Sequence, residues 1–246
     1  MKIETILITG ASRGIGCGIA CYLAKHMPGR YHFLLTCHTR MNKLQKIQQE
    51  IISYGNQCEI FTCDVEDVTD INQLWDSIHT KGYSVDILIN NAGISIVGLF
   101  QDTSADDWNH IIHTNLSSVF FMSKQAVPDM IQQKYGRIIN ISSVWGNVGA
   151  SCEVAYSTTK GGINAFTKAL GKELAPSNIS VNAIACGAVD TEMNRFLSAN
   201  DRLSLEEEIP YGRFCLPEEV GQCVASLLTA PVYLTSQIIT LDGGWI

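Results

Sequence analysis

The chain holds 246 residues, 46% of them apolar and 17% charged, with a net charge of −7; this supplies a buried core and excludes a disordered or fibrous chain. Its 17 Lys and Arg residues are scattered, so no basic face stands ready for a nucleic-acid backbone, and no apolar run approaches the ~20 residues of a membrane-spanning helix. Nine cysteines, odd in number and without paired C-x-x-C spacing, read as reduced, mostly buried thiols, and no zinc site is expected.

Apolar runs of strand length alternate with amphipathic segments, and each run closes in Gly, Asn, Ser or Asp. In chain order this predicts a strand at 3–9, a helix at 14–27, a strand at 31–37, a helix at 40–54, a strand at 57–63 and a helix at 67–81. A strand at 86–90, one long helix at 104–134, a strand at 136–142, a helix at 154–175 and a strand at 179–185 follow. An irregular stretch at 187–216 reads as a lid, before a helix at 217–229 and a last strand at 236–240. Strands such as Ile6-Leu7-Ile8 and Ile138-Ile139-Asn140-Ile141 are apolar on both faces, as in a parallel sheet covered on both sides. The expected fold is therefore α/β: one doubly wound Rossmann-type domain over 1–246, a seven-stranded parallel sheet with helices on both faces. The chain opens directly into a strand pattern with no signal-peptide organisation, so a cytoplasmic protein is expected.

Thr9-Gly10-Ala11-Ser12-Arg13-Gly14-Ile15-Gly16 follows the first strand and opens a helix. In that context the glycines allow a tight turn, close approach of backbone to a pyrophosphate and packing of helix on strand, while the helix N-terminus presents its N–H groups to the anion. The spacing is G-x-x-x-G-x-G rather than G-x-G-x-x-G. With this loop, and with Asn90-Asn91-Ala92-Gly93, Asn115 within Thr114-Asn115-Leu116-Ser117, Ser143, Tyr156-Ser157-Thr158-Thr159-Lys160 and Asp242-Gly243-Gly244, the chain resembles the short-chain dehydrogenase/reductase family along its whole length. The resemblance implies cofactor contacts from Gly10, Ser12, Arg13, Gly14, Ile15 and Gly16, and from Asp64 and Val65 after the third strand. It implies further contacts from Asn91, Ala92 and Gly93, from Tyr156 and Lys160, and from Gly187, Val189 and Thr191 after the sixth strand.

Residues four apart share a helix face, so Tyr156 and Lys160 can enter one pocket. A free phenol has a pKa near ~10, and a nearby ammonium is expected to lower it; Tyr156 is then the acid/base and Lys160 its activator. Ser143, at a strand end, supplies a hydroxyl to a substrate carbonyl or else caps a turn. The resemblance implies that Asn115 holds a water in a proton relay through Lys160. A non-catalytic NADP-binding regulator would be expected to have lost Tyr156, Lys160 or Ser143, and none is missing.

The second strand ends at Cys37 without the acid that would bind the adenosine ribose hydroxyls, and His38-Thr39-Arg40 follows. Arg13, and Arg40 unless it merely opens a solvated helix, are expected to hold a 2′-phosphate, which makes the cofactor NADP(H). Gly212-Arg213-Phe214 and the segment 114–120 resemble 3-oxoacyl-acyl-carrier-protein reductases. More narrowly, Ser142-Ser143-Val144-Trp145-Gly146, Glu208-Ile209-Pro210 and Gly243-Gly244-Trp245 resemble bacterial elongation factor P 5-aminopentanone reductases. Both resemblances imply a ketone on a carrier, with acyl-carrier protein or elongation factor P as partner and a homotetramer as the assembly. Lys134 supplies one member of the basic pair expected for a carrier protein, and Ser177 stands where the other is expected. Trp145, Glu153, Met193 and Phe196 are expected to line the substrate end with Ser143; Glu153 is otherwise an N-cap or rim residue. Ala185-Cys186-Gly187 departs from the family's Ala-Pro-Gly, and Cys186 reads as a small buried hydrophobe.

Overall fold

Side chains alternate along a strand, so Ile6 and Ile8 of the first strand enter one apolar cluster while Leu7 enters a second. Both faces of the sheet must then be covered, and helices cover both. The computed structural model describes residues 3–195 and 197–246. Phe196, expected at the substrate end, lies outside the described residues.

The elements run β1 (Glu4–Ile8), α1 (Gly14–His26), β2 (Tyr31–Cys37), α2 (Met41–Ser53), β3 (Gln57–Thr62), α3 (Val68–Thr80) and β4 (Ile87–Asn90). They continue through α4 (Ala105–Ile112), α5 (Ser118–Gln133), β5 (Gly136–Ser143), α6 (Trp145–Val148), α7 (Val154–Leu174), β6 (Ile179–Cys186), α8 (Ala199–Glu208), α9 (Pro217–Thr229) and β7 (Ile238–Leu241). All strands are parallel, in the order β3-β2-β1-β4-β5-β6-β7. The order reverses between β1 and β4, and in such sheets ligands bind outside the carboxyl ends of the strands at that reversal. Residues of α1, α2 and α9 pack on one face, and residues of α3, α5 and the end of α7 on the other.

Two amides buried in the sheet make hydrogen bonds that fix the helices, although Thr36 Oγ1, Asn90 Oδ1 and Arg137 Nε on the strands have no partner among the described residues. Asn90 and Asn140 are register partners on β4 and β5. Asn90 Nδ2 donates to Asn140 Oδ1 at 2.9 Å and to Ser123 Oγ at 3.3 Å, and Asn140 Nδ2 donates to Thr167 Oγ1 at 2.8 Å. Unpaired, these amides would each cost several kcal/mol in an apolar interior. Their hydrogen bonds tie α5 and α7 to the strands, and the face of α7 carrying Thr167 also carries Lys160, two turns nearer its N-terminus, and Tyr156, one turn beyond that.

Three local departures from the expected elements concern the site. The single helix expected over 104–134 is broken by a π-helical turn at His113–Ser117, a wide turn of the kind that recurs at functional sites. The stretch 187–216 is not irregular throughout: it holds a 3₁₀ turn at Glu192–Asn194 and α8. Helix α8 starts in a reciprocal cap, in which Ser198 Oγ accepts from the Asp201 N–H at 3.1 Å and Asp201 Oδ2 accepts from the Ser198 N–H at 3.2 Å. The short helix α6 carries no expectation from sequence; the Gly146 backbone packs so closely on Lys160 that a Cβ would lie 2.6 Å from its carbonyl carbon. Of the nine cysteines, all free, four are buried and five partly exposed, fewer than the expected majority. Among the described residues no helix is long and apolar enough to cross a membrane, and no group of three His, Cys, Asp or Glu could hold a metal ion.

Candidate active site

A cavity of about 700 Å³ opens at the carboxyl ends of β1, β4, β5 and β6. At one end it is floored by the glycine loop. Gly10 has φ of +65° and a Cβ there would lie 2.9 Å from Ala92 Cα, so only glycine lets the β1 and β4 ends meet. Asn91 completes this junction: its Nδ2 donates to the carbonyl oxygens of Thr9 at 2.8 Å and Gly10 at 3.2 Å. Ser12, Arg13, Gly14 and Ile15 line the cavity, as do Asp64 and Val65, Ala92 and Gly93, and Gly187, Val189 and Thr191. Gly16 lies behind the loop against Asn91 rather than in the cavity wall.

Ser143 ends β5, and its Oγ accepts from the Trp145 N–H at 3.2 Å, so it both caps the turn and faces Tyr156. Lys160, buried, donates from Nζ to the Ile141 carbonyl oxygen at 2.9 Å, and Nζ stands 5.5 Å from the Tyr156 ring centre. Burial pushes the Tyr156 phenol above its usual range, with the Ser143 hydroxyl acting in the opposite direction. The expected lowering by Lys160 is therefore not what the structure gives: desolvation dominates, and Tyr156 holds its proton at neutral pH. Burial also brings the Lys160 ammonium down to about 8.

Asn115 sits in the π turn, fully buried. Its Oδ1 accepts from the Ile94 N–H at 2.8 Å, and its Nδ2 donates to the Ile94 carbonyl oxygen at 2.8 Å and to Thr159 Oγ1 at 3.3 Å. The side chain is spent on clamping the chain after Gly93, and a Cβ at Gly93 would lie 3.2 Å from Asn115 Oδ1.

At the other end of the cavity stand Trp145, Glu153 and Met193, together with Ser95, Glu208 and Trp245, which the sequence reading had not assigned to the site. The Trp145 and Trp245 rings meet edge to face with centres 4.9 Å apart. Glu153 occupies the N-cap position of α7 but makes no side-chain cap bond; its carboxylate accepts from Ser95 Oγ at 3.2 Å, and burial raises its pKa. Trp245 was findable, because it lies four residues beyond the last strand, at the strand end where ligands bind. Cys186 ends β6 buried in the wall, its thiol pushed up to about 12 by burial and hence unreactive as a thiolate. Lys134 precedes β5 and Ser177 precedes β6, so within the chain both lie at the end of the sheet opposite the cavity. Arg40 stands at the N-cap position of α2, as its alternative reading expects, and its guanidinium and Lys43 both hold Glu192.

A glycine cradle, a cavity of about 700 Å³ that runs on to Tyr156 and Lys160, and cations just after β2 fit a nicotinamide dinucleotide. The family model for short chain dehydrogenases matches residues 4–202. The chain belongs to the short-chain dehydrogenase/reductase family. It is 37% identical over 244 residues to an uncharacterized oxidoreductase of Bacillus subtilis, covering 98% of each chain. It is 38% identical over 240 residues to a 3-oxoacyl-acyl-carrier-protein reductase of Aquifex aeolicus, covering 97% of this chain and 95% of that one. A crystal structure of a variant actinorhodin polyketide ketoreductase with NADPH superposes with a TM-score of 0.91 at 32% identity, covering 98% of this chain and 97% of that one. This short-chain dehydrogenase/reductase is an oxidoreductase of the ketoreductase type that uses a nicotinamide cofactor.

Proposed function

We propose that this enzyme reduces a carrier-linked ketone with NADPH, and that the ketone is a 3-oxoacyl thioester. The observation that carries the reading is one cavity in which Ser143, Tyr156 and Lys160 stand at the far end from a glycine loop flanked by Arg13 and Arg40. The cofactor bound along that cavity supplies the hydride. Tyr156, protonated at neutral pH, gives its proton to the carbonyl oxygen, and the Ser143 hydroxyl donates to the same oxygen as charge develops on it. Lys160, charged below about pH 8, stabilises the phenolate that remains. The segment that closes β2 carries no acid of its own, and Arg13 with Arg40 beside it supports NADPH over NADH. The relatives named as 3-oxoacyl reductases support the thioester. A cytoplasmic homotetramer, with acyl-carrier protein as partner, completes the reading.

A second substrate is favoured by one group of residues. Glu153, Glu208 and the Trp145–Trp245 pair at the substrate end suit a cationic amino-ketone, such as 5-aminopentanone carried on a lysine of elongation factor P; an amine over an indole face gains ~0.5–2 kcal/mol. NADPH oxidation with acetoacetyl thioesters and with a peptide bearing the amino-ketone, using the parent, Trp145→Ala and Glu153→Gln, separates the two. Thioesters reduced far faster, with neither substitution touching the amino-ketone, support the first reading. Loss of amino-ketone turnover in both variants, with thioesters poor throughout, replaces it with the second.

A further inference from the structure

Beyond the glycine loop, one acidic side chain stands where a carboxylate is least expected. Glu192 lies in the 3₁₀ turn that follows β6, about 150 residues from the start of α2, yet its carboxylate reaches the cations there. Its Oε2 is 2.5 Å from Arg40 Nη1 and 3.6 Å from Arg13 Nη1. Its Oε1 is 2.8 Å from Lys43 Nζ and 3.7 Å from Arg195 Nη2. One negative charge thus faces four positive ones, and Lys43 and Arg40 hold the carboxyl down to about 2, so it is ionised at any working pH. Arginine binds carboxylate and phosphate oxygens with the same fork of donors. The residues just after β2 are also those that read the 2′ position of an adenosine ribose in this type of fold.

We propose that Glu192 is an internal occupant of the 2′-phosphate site, displaced from Arg40 and Lys43 when a 2′-phosphorylated cofactor binds and left in place by one without that phosphate. The proposal rests on the NADPH reading and deepens it. The displaced residue is well placed to carry the event along the cavity. Thr191, next to it, packs over Gly14, where a Cβ would lie 3.4 Å from Thr191 Cγ2. Thr191 Oγ1 accepts from the Met193 N–H at 3.3 Å, and Met193 lines the cavity. Exchange of carboxylate for phosphate therefore releases the turn 192–194 that precedes α8, and with it one wall of the substrate end. Glu192 responds to the phosphate by its departure, because only the phosphate offers the cations a replacement anion, and its competition for Arg40 and Lys43 lowers the affinity for that phosphate.

The test uses adenosine 2′,5′-bisphosphate and adenosine 5′-monophosphate, which lack the nicotinamide and so isolate the phosphate. Binding is followed by calorimetry, and hydrogen exchange is read at the amides of 191–195. In the parent protein the bisphosphate is expected to bind more tightly than the monophosphate and to speed exchange in that turn, while the monophosphate leaves exchange unchanged. Glu192→Gln is expected to bind the bisphosphate about five- to tenfold more tightly, to bind the monophosphate as before, and to show fast exchange without ligand. If the bisphosphate is preferred but leaves exchange in the parent turn unchanged, the displacement is wrong even where Glu192→Gln tightens binding. If the preference stands and Glu192→Gln alters neither quantity, the proposal is overturned while the NADPH reading survives. If the two ligands bind alike, and Arg40→Ala changes nothing, the NADPH reading itself fails and takes this one with it.

Discussion

Replacing Gly16 by alanine adds one methyl group at the point where the glycine loop meets β4. That carbon would lie 2.5 Å from Asn91 Nδ2 and 2.7 Å from the Gly10 carbonyl oxygen. Neither neighbour can retreat cheaply, because Asn91 Nδ2 is held by the Thr9 and Gly10 carbonyls and the Asn91 N–H donates to Thr9 Oγ1 at 3.0 Å. Overpacking of this kind costs about 1–3 kcal/mol, and the two strained amide hydrogen bonds add ~1 kcal/mol between them. A total of about 2–4 kcal/mol corresponds to a fall in Tm of roughly 5–15 °C for a chain of this size. The shifted loop should also lose at least about tenfold in NADPH affinity, since its N–H groups no longer converge on one anion. Gly29→Ala is the control. Gly29 has φ of +70° but nothing lies within 4 Å of its Cβ, so the cost is only that of a left-handed alanine, ~1–2 kcal/mol, with cofactor affinity unchanged. Calorimetric melting and a fluorescence titration with NADPH measure both quantities. A Gly16→Ala protein that melts within 2 °C of the parent, by the same scale, and binds NADPH equally well would refute the steric account of the cradle.

Because burial lowers the Lys160 ammonium to about 8 while Tyr156 keeps its proton well above that, kcat/KM for ketone reduction should fall as pH rises through about 8. The lost species is Lys160⁺, so the rate at pH 9 should be roughly a tenth of its plateau, and a profile flat to pH 10 contradicts the assignment. Ser143→Ala should lower kcat by roughly 10²–10³ with NADPH affinity unchanged, as for other donors to a developing oxyanion; a change confined to KM would leave Ser143 as a turn cap. Phe120, Leu99 and Phe100 are exposed apolar side chains of the kind that subunit contacts cover. For the proposed homotetramer, light scattering should give about four times the 27.0 kDa chain mass, and a monomer at micromolar concentration rejects it.

Much of the fold can be read from the sequence because two periodicities dominate it. Most strands carry apolar residues toward both faces of the sheet, the helices carry them at every third or fourth position, and most of the apolar runs close in Gly, Asn, Ser or Asp. The parallel order and the position of the cleft follow from that alternation. Local propensity says nothing of the π turn at Asn115, because it is imposed from outside by the clamp on Ile94 and the packing of α7. Helix α8 was legible in principle, since Ser198-x-x-Asp201 is a capping signal, but its polar surface gave no periodic stripe. Within the site, the glycine loop, Ser143, Tyr156 and Lys160 are carried by local motifs and were read directly. The sign of the Tyr156 shift was not, because spacing places Lys160 near the phenol without showing how much water either group loses. Glu192 and Lys43 were invisible for a related reason: their meeting depends on a loop folding back over the end of β2, and no sequence pattern marks it.

Tyr156→Phe tests most directly whether Tyr156 is the proton donor to a ketone. The ring remains and the transferable proton is removed. NADPH binding by fluorescence and NADPH oxidation with an acetoacetyl thioester, measured on the same preparations, should show cofactor affinity within about twofold of the parent and reduction slowed by at least ~10²-fold, the scale of a lost general acid. Tyr156→Phe turning over the ketone at the parent rate would contradict the mechanism and the function built on it.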